Sequence, residues 1–372
     1  MPARDQFLSN AAPGTAQTTR RGLIALALLI GGASGQSGFA LNASTPVTND
    51  AAQCRNIGLT LQSGKGQNQD LNLLGKSLEE FENAFATNNS EQFAAAVSPL
   101  LQKKKDELEK IFEGTVLEYD LKKARLQRNS IWELNAGLAP QPGRTLQCGE
   151  MAIQPVYGPS KQVAVIYSAF MGQNQTKILA LFALPGQSTK EQKPGLVLFQ
   201  VQRWTYDGRS PEKLISEAKQ TSSAGFPIAA QLLSEAAARI TESNPYLIFP
   251  LQKEARELAT LLSKSGEPQQ ETILKSAQAD PLWRAEKFAA VFKDSSLAVG
   301  LKIRMRKDFP LNEQTQKCLE TGKKIFSVNS IWKTSFSGME CLPYKENEDM
   351  VKPPKGGSQY FPWAQIDPLP TK

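Results

Sequence analysis

The sequence predicts an α+β fold, and three observations carry the prediction. Three apolar runs, Gln162–Phe170, Lys177–Leu184 and Leu196–Trp204, follow one another across polar links, as successive antiparallel strands do. A stretch with apolar residues at helical spacing, Leu78–Phe112, precedes them. Helices followed by a run of strands place the helices on one face of a sheet, and 372 residues leave room for a second core downstream.

Residues 1–40 read as an export signal peptide. A polar leader ends in Arg20-Arg21, the apolar run Leu23–Ile30 follows, and Gly38-Phe39-Ala40 places small residues where a signal peptidase reads. Thr19–Ile24 also resembles the twin-arginine export motif, with Ala25 where that motif carries lysine, and both export routes stay open. The apolar run is short for a bilayer span. The expectation is a periplasmic or secreted protein, with an inner-membrane anchor by an uncleaved N-terminal segment as the alternative. The four cysteines, Cys54, Cys148, Cys318 and Cys341, are even in number and show no C-x-x-C spacing, which argues against a zinc ribbon or a thioredoxin-type site. Proximity in sequence favours Cys318–Cys341 and leaves Cys54–Cys148 as its companion.

The chain contains no histidine. That removes Ser-His-Asp and Cys-His machinery, imidazole acid–base chemistry and His-ligated metals. No cofactor and no metal site is expected. The net charge of +7 is a mild bias. Basic runs occur at Lys103-Lys104-Lys105 and Lys302–Lys307, and the first reads as a solvated helix face beside Asp106, Glu107 and Glu109.

The first domain is placed at 45–208. Leu78, Phe81, Ala84 and Phe85 share a helical face, and Asn88-Asn89-Ser90-Glu91 interrupts it, with Ser90 as a cap for the next helix. That helix runs through Phe93, Val97, Leu100, Leu108 and Phe112, with a kink or restart at Pro99 and an end at Gly114. Strands are expected at Thr115–Tyr119, Ser130–Leu134 and Thr145–Tyr157, before the three central ones. Glu118 and Asp120, two apart on the first of these, would share a face at a solvated edge beside Lys122 and Lys123. Trp132, Tyr157, Tyr167 and Trp204, with Glu133 and Glu150 beside them, are the candidate ligand-binding residues, since aromatics with a carboxylate suit a mostly apolar ligand. Core and rim positions of an ordinary sheet are the competing explanation.

The Phe81–Phe93 helix pair with its polar break at Asn88-Asn89, and the closing Leu196–Trp204-Thr205-Tyr206 strand, resemble the NTF2-like superfamily, a cystatin-like cone, over residues 75–208. The resemblance implies a curved antiparallel sheet wrapped around helices. It also implies either a small-molecule isomerase or dehydratase, or a non-catalytic binding or dimerisation module. The family's enzymes place an Asp, often with His or Tyr, inside the cone, and this chain has no His to offer.

A helical connector is expected over 209–292. Ser210-Pro211, Pro227–Thr241, Asn244-Pro245 and Pro250 mark helix starts, one helix ends at Gly266, and Asp280-Pro281 opens a last one carrying Trp283 and Phe288. A small β region is placed at 293–345, where Leu297–Met305 alternates cleanly and Lys324–Val328 and Ile331–Phe336 are its expected partners. Asn329-Ser330-Ile331-Trp332 repeats Asn129-Ser130-Ile131-Trp132, and a duplicated sheet module is one explanation. Residues 346–372 read as an extended or disordered tail, with Tyr360-Phe361-Pro362-Trp363 able to dock on the protein or on a partner.

These features point to an exported envelope protein acting as a non-catalytic binding or assembly module. The alternatives are a carboxylate/tyrosine isomerase or lyase working in the cone on a small apolar ligand, and a basic protein binding an anionic cell-wall polymer. The partner classes are an envelope protein or small apolar ligand, an anionic envelope surface, or a second copy of the chain as a homodimer. Nucleic acid is not among them, because no aromatic-basic platform occurs.

Overall fold

The computed structural model describes residues 54–58, 69–99, 101–135, 145–156, 161–185, 193–278, 280–327 and 329–366. The expected leader, 1–40, and Tyr157 lie outside these residues.

Strand β1 (Cys54–Asn56) leads to helices α1 (Gln69–Thr87), α2 (Ser90–Ala96) and α3 (Lys105–Glu118). Asn89, not Ser90, caps α2, its Oδ1 accepting from Gln92 N at 3.0 Å. α2 ends at Ala96, and Pro99 lies in the break before α3, between a bridge from Val97 to Leu196 and a 3₁₀ turn. The expected strand Thr115–Tyr119 is instead the last turn of α3. Gly114 does not stop that helix, because Leu108, Phe112, Thr115 and Val116 continue its buried stripe. Thr115 Oγ1 also donates to Ile111 O at 2.7 Å, so the β-branched residue is satisfied within the helix. Glu118 and Asp120 are therefore not a strand pair; Glu118 is helical and Asp120 sits in a turn with φ +55°.

The central sheet adds β2 (Gln127–Asn135), β5 (Lys161–Met171), β6 (Asn174–Ala183) and β7 (Gly195–Arg203) in the order β1-β2-β5-β6-β7, antiparallel throughout. β5 and β6 meet in a two-residue turn at Gly172-Gln173, where Gly172 has φ +61°. The expected long strand Thr145–Tyr157 is two short ones, β3 (Leu146–Cys148) and β4 (Met151–Ile153), folded about Gly149-Glu150. They form a second small sheet with β8 (Leu247–Ile248).

Both faces of the central sheet are covered. Val163, Val165, Tyr167, Ile178, Ala180, Phe182 and Phe199 join Phe81, Phe85, Phe93 and Phe112 of α1–α3 in one core. Ala164, Ile166, Leu179, Leu181 and Leu198 face α4 (Pro211–Ser223) and α5 (Pro227–Thr241) in the other. Each fully buried leucine or phenylalanine contributes about 1.5–3 kcal/mol of transfer free energy, so two apolar faces could not stay uncovered.

The second core continues without a break into the C-terminal sheet. Helix α6 (Pro250–Ala277) runs through Gly266 and Pro268. β9 (Trp283–Lys293), β10 (Ser296–Met305), β11 (Gly338–Lys345) and β12 (Gln359–Pro362) then form the order β12-β11-β10-β9, with β10 and β11 parallel. The segment after Asp280-Pro281 is thus a strand, not a helix. A register shift opposite Glu286 displaces its alternation, burying Trp283 and Ala285 and then Phe288, Ala290 and Phe292. Lys324–Val328 and Ile331–Phe336 are not sheet partners either: the described residues there form the end of α7 (Leu311–Phe326) and the short α8 (Ile331–Ser335). Parallel β10 and β11 need such a helical crossover between them. Asn129–Trp132 lies in β2 while Ser330–Trp332 lies at α8, so the repeated tetrapeptide marks no repeated structure. Tyr360-Phe361-Pro362-Trp363 docks on the protein itself. β12 pairs with β11, Phe361 is buried, and Trp363 Nε1 at the start of α9 (Trp363–Ile366) donates to Phe336 O at 2.6 Å.

Two disulfides, Cys54–Cys148 and Cys318–Cys341, join β1 to β3 and α7 to β11 with Cα–Cα distances of 5.4 and 6.0 Å. They point to an oxidising, extracytoplasmic location. Among the described residues, no helix is long and apolar enough to cross a membrane.

Buried Arg209 ties the parts together. Its guanidinium binds Asp207 at 3.2 Å, Glu217 of α4 at 3.3 Å and the carbonyl of Ser335, at the end of α8, at 2.7 Å. Asp207 Oδ2 in turn accepts from Leu297 N of β10 at 2.9 Å.

Candidate functional site

The described candidate residues lie on both sides of the central sheet. Tyr167 lies on the α1–α3 side, fully buried, its ring 5.6 Å from that of Phe81. Phe81 also meets Phe85, Phe93, Phe182 and Phe199, so the space a cone would leave for a ligand is filled by rings. Burial pushes the Tyr167 hydroxyl well above its ordinary value, the Glu82 charge adds to this and Arg128 opposes it. The hydroxyl makes no hydrogen bond of ordinary geometry; Glu82 is bound by Arg128, with Nη2 2.9 Å from Oε2. Trp132 and Trp204 belong to the opposite core. Trp132 is half-buried against Gly149, Glu133 pairs with Arg55 across the β1–β2 ladder at 3.0 Å, and Glu150 is exposed in the β3–β4 turn.

Two features that sequence patterns did not single out stand in their place. The first is a polar row inside the second core. Ser168, Lys177 and Gln202 are cross-strand neighbours on β5, β6 and β7, with Gln200 on the same face of β7 and Trp204 just past its end. Lys177 Nζ sits 3.6 Å from the Trp204 ring centroid and 4.8 Å from that of Phe249, in an aromatic corner of the kind that attracts cations. Desolvation lowers its pKa from the ordinary lysine value, and Glu212 partly offsets this. Gln202 donates to Ile240 O, whereas Gln202 Oε1 and Gln200 Nε2 are buried without partners among the described residues. A lysine inside the otherwise apolar run Lys177–Leu184 was the available signal.

The second feature is a concave groove of about 260 Å³ where α5, α6, α7 and α8 meet. Phe226, Ile228 and Ala229 come from the start of α5, Gln269, Ile273 and Ser276 from α6, and Lys324 and Ile325 from α7. Asn329, Ile331 and Trp332 close it. Pro227 sets the geometry at one wall by starting α5 immediately after Phe226. At the other, Asn329 Oδ1 accepts from Ile331 N at 3.0 Å and fixes the approach to α8. Ser276 is turned inward on its own helix, donating to Ile273 O at 2.8 Å. Among the described residues no carboxylate lines the groove, and Lys324, exposed at its mouth, is the one titratable side chain in the lining.

No protein-family model, curated protein or solved structure matches the chain. Among the described residues, no cluster of acidic or thiol side chains is arranged to hold a metal ion. The basic runs are largely engaged. Lys104 and Lys105 pair with Glu107 and Glu109 at 3.4 and 3.5 Å, Lys302 Nζ donates to Met350 O, and Arg304 donates to the carbonyls of Lys345, Glu346 and Glu348.

Proposed function

We propose that the chain is an exported, non-catalytic binding module of the cell envelope, periplasmic or secreted, and that the helical groove is its binding surface. One observation carries the proposal: the concave surface is lined mainly by Phe226, Ile228, Ala229, Ile273, Ile325, Ile331 and Trp332, with Gln269, Ser276 and Asn329 among them, a lysine at its mouth and, among the described residues, no acid–base pair. Apolar lining with a few polar groups at the edge is what a binding pocket needs, whereas general acid–base work needs positioned titratable groups. The disulfides and the signal-like leader support the compartment. The NTF2-like reading belongs to the same proposal. An antiparallel sheet with α1–α3 on one face supports it, and a ring-filled interior favours the family's non-catalytic branch.

The test is native mass spectrometry of protein taken from its own envelope without reductant. The expected result is a mature chain without free thiols, carrying a small molecule or a protein partner. Turnover of any substrate that Glu133→Gln or Glu150→Gln abolishes would overturn the reading.

A further inference from the structure

We infer that the groove takes an apolar ligand bearing one carboxylate, with the tail on Phe226, Ile228, Ile273 and Trp332 and the carboxylate at Lys324. The inference rests on the binding-module reading and names its ligand class. Size is the first constraint. At roughly 30 Å³ per water-sized group in the liquid, 260 Å³ holds about nine heavy atoms, which suits a medium-length acyl chain. Polarity is the second. Seven of the lining residues are aliphatic or aromatic and Gln269, Ser276, Asn329 and Lys324 are polar, so the larger part of the ligand is apolar and a smaller part is polar.

Charge is the third and decides the head group. Lys324 makes no ion pair or hydrogen bond among the described residues, in a chain where many of its other lysines are paired. Asn329 uses its carbonyl oxygen on Ile331 N, and no described residue takes its amide N–H groups. Among the described residues the lining therefore offers one cation, the amides of Asn329 and Gln269, the hydroxyl of Ser276 and no anion. A carboxylate complements that set, an ammonium opposes it, and an alcohol is indifferent to the charge.

The test is calorimetric titration of the oxidised full chain with octanoate, octanol and octylammonium at neutral pH. Lys324→Gln and Ile273→Asn are titrated alongside. Octanoate is expected to bind about tenfold tighter than octylammonium, consistent with one charge-assisted contact at an exposed mouth. Lys324→Gln should weaken octanoate about fivefold and leave octanol unchanged, and Ile273→Asn should weaken both. Equal affinity for all three probes, unmoved by Lys324→Gln, would overturn the carboxylate assignment while leaving a binding groove in place. Failure of all three to bind would overturn the ligand class outright. The binding-module reading would then rest on what the native protein carries.

Discussion

The Cys54–Cys148 disulfide should stabilise the fold more than Cys318–Cys341, because it closes a much longer loop. The sequence separations are 94 and 23 residues. Loop-closure entropy gives about 4.7 kcal/mol for the first and about 3.4 kcal/mol for the second, a difference of ~1.2 kcal/mol in which the constant term cancels. Comparing double alanine variants directly would blur this difference. Cys148, Cys318 and Cys341 are fully buried while Cys54 is half-buried, so truncation adds a cavity cost to both pairs and a larger one to the shorter loop. Reduction removes no sulfur atom and so leaves no truncation cavity. The perturbation is therefore reductant, applied to Cys318→Ala/Cys341→Ala, which retains only the long loop, and to Cys54→Ala/Cys148→Ala, which retains only the short one. Guanidinium unfolding, followed in parallel by tryptophan fluorescence and far-UV circular dichroism, reads the loss in each. The long-loop protein should lose more, by ~1.2 kcal/mol. Equal losses, or a larger loss from the short loop, would refute the entropic account and place the stabilisation in local packing.

Three further outcomes follow from the same geometry. Arg209→Met removes a buried guanidinium that binds Asp207, Glu217 and Ser335 O, and should cost about 3 kcal/mol in denaturant unfolding, the low end for a broken buried pair because both carboxylates keep partial contact with water. Gly195→Ala would place its Cβ 2.4 Å from Ser98 Cα and 2.7 Å from Ser98 N, forcing apart the Ser98 N to Leu196 O bond; the unfolding midpoint should fall by the equivalent of ~1–3 kcal/mol with an unchanged slope. Tyr167 holds its proton in the folded state at a pH where the unfolded chain releases it. Its contribution is complete below pH ~10 and declines above that by up to ~1.4 kcal/mol per pH unit. Tyr167→Phe, which removes a hydroxyl without a hydrogen bond, should stay within ~1 kcal/mol of the parent at neutral pH and flatten the alkaline slope of a stability–pH series.

The central sheet is legible in the sequence because β5 and β6 are apolar on both faces and β7 alternates, and side chains of that kind have few other homes. α5 is legible from Pro227 at its start and the Ile228–Ile240 stripe. Errors gather where a local signal competes with a longer one. Gly114 looks like a helix end, yet no neighbour crowds it and the buried stripe runs past it to Val116. The bulge in β9 places Trp283 and Phe288 out of phase, hiding a period of two. Ile325 and Phe326 read as a strand until Cys318, Thr321 and Gly322 are seen on the same helical face. Candidate site residues were harder still. Adjacent positions on a strand point to opposite faces, so Ile131 and Trp132 enter different cores, and composition alone does not say which face a lone aromatic takes. The groove draws on residues 226–229, 269–276 and 324–332, and no spacing within one stretch announces such a junction.

A sheet buried on both faces constrains where a ligand can sit. Rings fill the α1–α3 side, and aliphatic side chains with Gln200, Gln202 and Lys177 fill the other, so neither face has room without displacing core. Concave surface survives where helices of separate origin meet and short side chains line the junction, as Ala229, Ser276 and Asn329 do here. The wall bearing Trp332 is α8, too short to hold its position by helical hydrogen bonds alone. It is fixed at one end by Asn329 and at the other by Arg209 bound to Ser335 O. Because Arg209 also holds Asp207, and Asp207 holds the amide of Leu297, that wall is tied to the β9–β10 hairpin and to the end of the central sheet. The Trp332 wall is thus positioned through the rest of the fold, and a wall positioned in advance lowers the ordering cost of binding.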